Sequence, residues 1–73
     1  MKTLLYFQDN YGTDRFVTAI TNKEDIIPTI QQYAHSLNPK FKIFYIRSWK
    51  ENDKTWYDVG SHSEFFFTQE VEN

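Results

Sequence analysis

The clearest periodicity in the chain belongs to one segment, residues 26–37. Its apolar side chains form a single stripe at helical spacing: Ile26, Ile27, Ile30, Tyr33, Ala34 and Leu37. Such a stripe is typical of a helix that buries one face. Pro28 is tolerated in a first turn, whereas the residue before Pro39 avoids the α conformation. We therefore predict one helix that begins between Glu24 and Ile27, ends before Pro39, and packs on a layer formed by the rest of the chain.

The remainder of the chain alternates between strand-like runs and polar turns. Apolar, β-branched and aromatic residues concentrate in five runs, at residues 2–8, 14–21, 41–50, 55–59 and 64–71. Residues 9–13 and 51–54 have the composition of hairpin turns. We predict an α+β fold of order β-β-α-β-β-β, with one helix packed on one face of a small antiparallel sheet. Residues 1–73 are expected to form a single globular domain.

Composition limits both the stability and the class of this protein. A chain of 73 residues without cysteine has no disulfide or thiolate zinc site. Its stability must therefore come mainly from burying the apolar surface of its aromatic side chains, which are seven Phe, five Tyr and two Trp. The net charge of −2 disfavours a general binder of nucleic acid or anionic membranes. With no membrane-length apolar run and no signal-peptide core, we expect a cytoplasmic protein without membrane contact.

Several predicted strands are apolar on both faces. In residues 41–50, for example, Tyr45 and Trp49 share one side while Phe44 and Ile46 share the other. One helix covers only one face of a sheet, so the other would show an aromatic patch, which monomers rarely leave bare. Either loops and the C-terminal segment cover this patch, or it is an interface. We favour the interface, with the candidate binding residues Tyr45, Arg47, Trp49, Trp56, Tyr57, Asp58, Ser61 and His62.

The chemistry of the segment around residues 58–64 does not favour catalysis or metal binding. Residues 61–64 (Ser61, His62, Ser63 and Glu64), next to Asp58, have the residue types of a nucleophilic site. Neighbouring side chains on extended backbone point to opposite faces, however, so they do not form a triad. A turn whose hydroxyl groups satisfy the backbone is the simpler interpretation. Asp58, His62 and Glu64 are also more often a polar edge than a metal site. We therefore predict no enzymatic activity, no metal and no cofactor.

Charge is segregated in the second half of the chain. Residues 39–50 contain four basic residues and no acidic one, whereas residues 51–73 contain six acidic residues and one lysine. Basic residues interleaved with aromatic ones are typical of platforms that stack single-stranded nucleic acid. However, the returning strand would place acids beside those bases and neutralise them. A nucleotide or small anion is the stronger alternative, held by Arg47, Trp49, Trp56 and the Ser61, His62 and Ser63 donors.

Residues 45–49 and 55–66, and most specifically 58–66, resemble a recurrent pattern in short uncharacterised proteins of phages and mobile elements of Gram-positive bacteria. No activity is assigned to that group, so no functional residue is carried over. The resemblance implies a setting in which small proteins bind and modulate a host protein, including defence systems. We accordingly expect a non-enzymatic interaction module that forms a homodimer and has a host protein partner. A sponge-like nucleotide or small-anion binder is the alternative, and a nucleic-acid accessory protein is third.

Overall fold

A computed structural model describes residues 2–37, 39–40, 47–60 and 64–71. The elements are β1 (Lys2–Gln8), β2 (Asp14–Ile20), a 3-10 turn (Lys23–Asp25), α1 (Ile26–Leu37), β3 (Arg47–Glu51), β4 (Lys54–Asp58) and β5 (Phe65–Val71). The α+β class and the order β-β-α-β-β-β are as predicted. The predicted third strand began at Phe41, and its residues 41–46 lie outside the described residues. No helix in the described ranges is long and apolar enough to cross a membrane.

Local turn chemistry closes the two hairpins. The Asp9 carboxylate accepts hydrogen bonds from the backbone N–H groups of Tyr11 and Thr13, at 2.9 and 3.0 Å. Gly12 has φ of +81°, a conformation that costs glycine little. In the second hairpin Asn52 has φ of +59°, and the pairing of Glu51 with Lys54 leaves a turn of two residues. Both connections lie in the turn segments that the sequence indicates.

The C-terminal strand joins these hairpins into one sheet. All pairs are antiparallel and the spatial order is β2-β1-β5-β4-β3. β5 therefore lies between β1 and β4, although residues 9–64 separate it from β1 along the chain. Phe66 and Phe67 of β5 are thus each paired with residues of both hairpins.

Helix α1 covers one face of the sheet. Its buried residues Ile26, Ile30 and Ala34 join a core that the sheet completes with Leu5, Phe7, Ile20, Val59 and Phe66. The Tyr33 ring packs against the rings of Phe7 and Phe66, with centroids 5.5 and 5.9 Å apart. The predicted stripe was wrong at Leu37, which is 51% exposed. Leu37 is the last residue of α1, one turn beyond the last helical side chain that reaches the core.

The helix begins through a 3-10 turn rather than through a side-chain cap. The backbone N–H of Asp25 donates to the Asn22 carbonyl at 3.0 Å, and the Asn22 side chain makes no capping bond. Pro28 is the third residue of α1, where its missing N–H costs no helical hydrogen bond. The Thr29 hydroxyl donates to the Asp25 carbonyl at 2.6 Å. The helix therefore starts at Ile26, inside the interval predicted from the sequence.

Candidate functional site: an aromatic row across the sheet

The side chains of each strand alternate between the helix side and the opposite side of the sheet. On β1, Leu5 and Phe7 belong to the core beneath α1, so Tyr6 lies on the opposite side. On β5, Phe66 faces the helix side, and Phe67 faces away from it. We call the side opposite α1 the aromatic face.

One aromatic side chain from each of the five strands lies in register with that of the next strand on this face. Tyr6 is the register partner of Phe16 on one side and of Phe67 on the other. Phe67 is also paired with Trp56, and Trp56 with Trp49. These pairs form one line perpendicular to the strands, which we call the aromatic row: Phe16, Tyr6, Phe67, Trp56 and Trp49.

A β-bulge completes the row at β2. The register moves by one residue between Leu5, which pairs with Thr18, and Tyr6, which pairs with Phe16. Val17 is the extra residue and packs against the core. Without the bulge, Tyr6 would lie opposite Val17, and the alternation would turn Phe16 toward the helix side. The bulge therefore brings the fifth ring onto the aromatic face.

The rings are packed closely at the centre of the row and are open at its β2 end. Tyr6 and Phe67 are stacked, with centroids 5.0 Å apart and ring planes 11° apart. The Trp56 ring lies 4.8 Å from Phe67, and the Phe16 ring meets Tyr6 edge-on at 5.7 Å. Phe67 is only 2% exposed, whereas Phe16 is 57% exposed. The central ring thus fixes its neighbours, and Phe16 presents its surface to solvent.

Two basic side chains lie over the rings of the row. The Lys54 ammonium is 4.7 Å from the Phe67 centroid and 6.0 Å from that of Trp56. The Arg47 guanidinium is 5.1 Å from the Trp49 centroid and 3.6 Å from a carboxylate oxygen of Asp58, its cross-strand partner. Both cations are therefore engaged by protein groups, and Arg47 is neutralised by the adjacent strand.

The structure places four of the predicted site residues together and separates a fifth. Arg47, Trp49, Trp56 and Asp58 all lie on the aromatic face. Tyr57 lies on the helix side, half-buried against the core. Burial raises the pKa of its phenol above the ordinary value, and the hydrogen bond with Thr68 opposes this rise. The remaining predicted residues, Tyr45, Ser61 and His62, lie outside the described residues.

Three members of the row were not among the predicted site residues. Alternation in β1 and β5 is enough to place Tyr6 and Phe67 on the side opposite Leu5 and Phe66. It does not show that these strands are neighbours, because β1 and β5 are far apart in the chain. Phe16 depends in addition on the bulge at Val17, for which the run of residues 14–21 contains no glycine or other marker. These side chains become a site only through strand pairing.

Within the described ranges, no three His, Asp or Glu side chains come together in a way that could hold a metal ion. The chain matches no family model, no curated protein and no solved structure. The aromatic face is therefore the feature from which a function is best inferred.

Proposed function

We propose that this protein is a non-enzymatic interaction module that binds another protein through its aromatic face. The single observation that carries the proposal is the aromatic row, one ring from each of five strands in continuous register on the side opposite α1. The solvent-exposed face of an antiparallel sheet normally carries polar side chains, and a monomer rarely exposes a continuous aromatic patch there.

The residue types and their packing favour protein binding. Trp, Tyr and Arg are the side chains that most often dominate interface energetics. Tyr6, Trp56 and Trp49 are partly exposed. Phe67 packs against the rings of Tyr6 and Trp56, and the Trp49 ring meets Phe65 of β5 edge-on at 6.2 Å, so all three rings are already held in place. A surface ordered before binding loses little conformational entropy when the partner arrives. The aromatic face is accordingly preorganised for association.

The shape and charge of the face define the partner surface that fits it. Five strands spaced about 4.8 Å apart, each about five to seven residues long, give a flat area of roughly 500 Å². This is below the roughly 800 Å² that each partner contributes to a standard interface, so the face suits modest affinity or part of a larger contact. Arg47 and Lys54 stand among the rings and favour a partner patch that is apolar and bordered by carboxylates.

We also propose the setting that the resemblance of residues 45–66 implies. In that setting the chain comes from a phage or mobile element, and the partner is a protein of its Gram-positive host whose activity it modulates. A second copy of the chain is the competing occupant of the same face. Because the face is small, we expect such a homodimer to be weak enough for a host partner to displace.

The nucleotide alternative has weaker support. It requires Arg47 and Trp49 to receive a phosphate and a base, but the Arg47 guanidinium already contacts the Trp49 ring and the Asp58 carboxylate. The donors that would complete such a site, Ser61 and His62, lie outside the described residues. Nucleic-acid binding meets the same difficulty, since Lys54 is also held over rings of the row.

The experiment compares two exposed aromatic residues, one on the aromatic face and one off it. A lysate of a Gram-positive bacterium is passed over three immobilised proteins: the wild type, Phe16→Asp and Tyr11→Asp. A retained protein is then purified and titrated calorimetrically against all three. We expect a carboxylate at position 16 to weaken binding at least about tenfold, and the same change in the turn at position 11 to have little effect.

Two results would contradict the proposal. One is equal binding by Phe16→Asp and the wild type to every purified candidate partner, with both proteins folded by circular dichroism. The other is a thermal shift with a nucleotide panel that Phe16→Asp and Trp49→Ala both abolish while no protein partner is retained. The second result would assign the face to the nucleotide alternative.

A further inference from the structure

Strand β2 forms an edge of the sheet in the described part of the chain. It pairs with β1 on one side, and no described strand pairs with its other side. An antiparallel edge strand directs alternate N–H and C=O groups outward, where they can pair with another chain. This edge is separate from the aromatic face, which points away from α1.

A cleft of about 650 Å³ lies between this edge and the helix. One wall consists of consecutive residues 17–21 of β2 and the position after it. The opposite wall consists of Asp25, Pro28, Thr29, Gln32 and Tyr33. A cleft with a strand edge on one wall and a helix on the other has the form of a site for β-strand addition.

The two halves of β2 differ in how well they are protected from pairing. Its first half contains Asp14 and Arg15, followed by the bulge at Val17. Charged residues and bulges are common devices against edge-to-edge association. Residues 18–21, in contrast, carry no charge and no proline, and together with Val17 they line the cleft. The unprotected length is thus short and coincides with the cleft.

We propose that this cleft binds an extended peptide segment of another protein, which adds a further strand antiparallel to β2. Four residues of extended backbone span about 13 Å, which matches residues 18–21, the last three positions of β2 and the one after it. A second copy of β2 fits less well, because residues 18–21 are followed directly by the 3-10 turn at Lys23–Asp25. Edge-to-edge pairing of two copies would bring that turn against the bulged half of the other strand.

Charge and side-chain type in the cleft define the peptide. Asp25 is the only ionisable acid or base among the residues that line it, apart from the phenol of Tyr33. An antiparallel peptide has its N-terminal end beside Thr21 and Asp25, so a Lys, an Arg or a free amino group belongs there. Every second side chain of the peptide then faces α1. Val17 of β2 and Tyr33 of α1 line the cleft there and favour a β-branched or apolar residue.

The probe for the test is a library of random seven-residue peptides displayed on phage and selected on the folded wild-type protein. Selected sequences are synthesised with a fluorophore and titrated by anisotropy against matched variants. We expect enrichment of peptides with a basic first residue followed by alternating β-branched residues. Gln32→Trp fills the cleft and should weaken binding at least about tenfold, while Gln31→Trp, on the neighbouring exposed position outside the cleft, should change it less than about twofold.

A second pair of variants tests the charge. Asp25→Asn should weaken binding of peptides with a basic first residue by about two- to fivefold, whereas Glu24→Gln, which does not line the cleft, should leave it unchanged. Amide hydrogen exchange adds a structural readout. The bound peptide should slow exchange within residues 18–21 and leave β4 unaffected.

Three results would overturn the proposal. A selection that enriches no peptide is the first. The second is binding that survives Gln32→Trp but is lost in Trp49→Ala, which would assign the peptides to the aromatic face. The third is self-association that Gln32→Trp abolishes and Phe16→Asp does not, which would make a second copy the occupant of the cleft.

Discussion

Tyr6 and Phe67 lie opposite each other on β1 and β5, with their rings stacked 5.0 Å apart. On its other side Phe67 packs against Trp56 at 4.8 Å. A single ring of the C-terminal strand thus contacts both hairpins, and it is buried on the face that α1 does not cover. The sheet therefore has side-chain cohesion on both faces, which is how so short a chain without disulfides is stabilised.

Phe67→Ala should cost about 3–5 kcal/mol in the free energy of unfolding, because it removes a buried ring and its contacts with Tyr6 and Trp56. Phe16→Ala is the matched control, since it removes the same ring at the exposed end of the row and should cost less than about 1 kcal/mol. Urea unfolding measures both. Similar losses of unfolding free energy for the two variants would contradict the difference in burial between the centre and the β2 end of the row.

Ile30→Ala should cost about 2–5 kcal/mol, since Ile30 is 0% exposed in the core beneath α1. This is a large part of the roughly 4–11 kcal/mol expected for a domain of this size. Leu37→Ala, at the exposed end of the same helix, should cost less than about 1 kcal/mol. If thermal melting places Ile30→Ala within a degree or two of the parent, α1 does not form the core.

Stability should fall at alkaline pH because of Tyr57. Burial raises the pKa of its phenol above 10.0, so between that value and the higher folded pKa the folded state holds more protons than the unfolded state. The contribution of this group is therefore complete below about pH 10 and is lost as the pH rises through the folded pKa. Tyr57→Phe should remove this loss.

Urea unfolding at several pH values between about 8 and 11.5 tests this prediction. The quantity to compare is the slope of the unfolding free energy against pH in the parent and in Tyr57→Phe. Tyr11→Phe, in the exposed turn between β1 and β2, is the control for loss of a phenol. An unchanged slope in Tyr57→Phe would contradict the role assigned to its burial.

The protein should self-associate at micromolar concentration through the aromatic face. The reason is the uncovered row, with Phe16 at its exposed end. Sedimentation equilibrium over a hundredfold dilution series should show a species above 8.8 kDa that dissociates on dilution. Phe16→Asp should shift the equilibrium to monomer and Tyr11→Asp should not. An 8.8 kDa species at every concentration would leave the face to a foreign partner alone.

Local features of the fold could be predicted because their causes lie within a few residues. The stripe from Ile26 to Ala34 predicts the helix, and the turns at residues 9–13 and 51–54 predict the hairpins. Hydrogen bonds such as those from the Tyr11 and Thr13 amides to Asp9 act over four residues or fewer. Leu37 departs from its pattern because periodicity does not reveal where the sheet beneath the helix ends.

The candidate site was predictable only in part. Arg47, Trp49, Trp56 and Asp58 come from one hairpin, so turn geometry alone brings them onto one face. Tyr57 belongs to the same hairpin but points to the other face, because adjacent residues of a strand alternate. Tyr6, Phe16 and Phe67 could not be added to the site without knowing which strands are neighbours.

The amino-acid sequence by itself determines the α+β class, the two hairpins, the helix and the presence of apolar side chains on both faces of the strands, since these follow from local propensity and periodicity. Only the tertiary structure decides that β5 inserts between β1 and β4, that a bulge turns Phe16 beside Tyr6, and that five rings form one row. Strand order and register are set by the summed packing of residues far apart in the chain. A shift of one residue in any strand would send its ring to the opposite face.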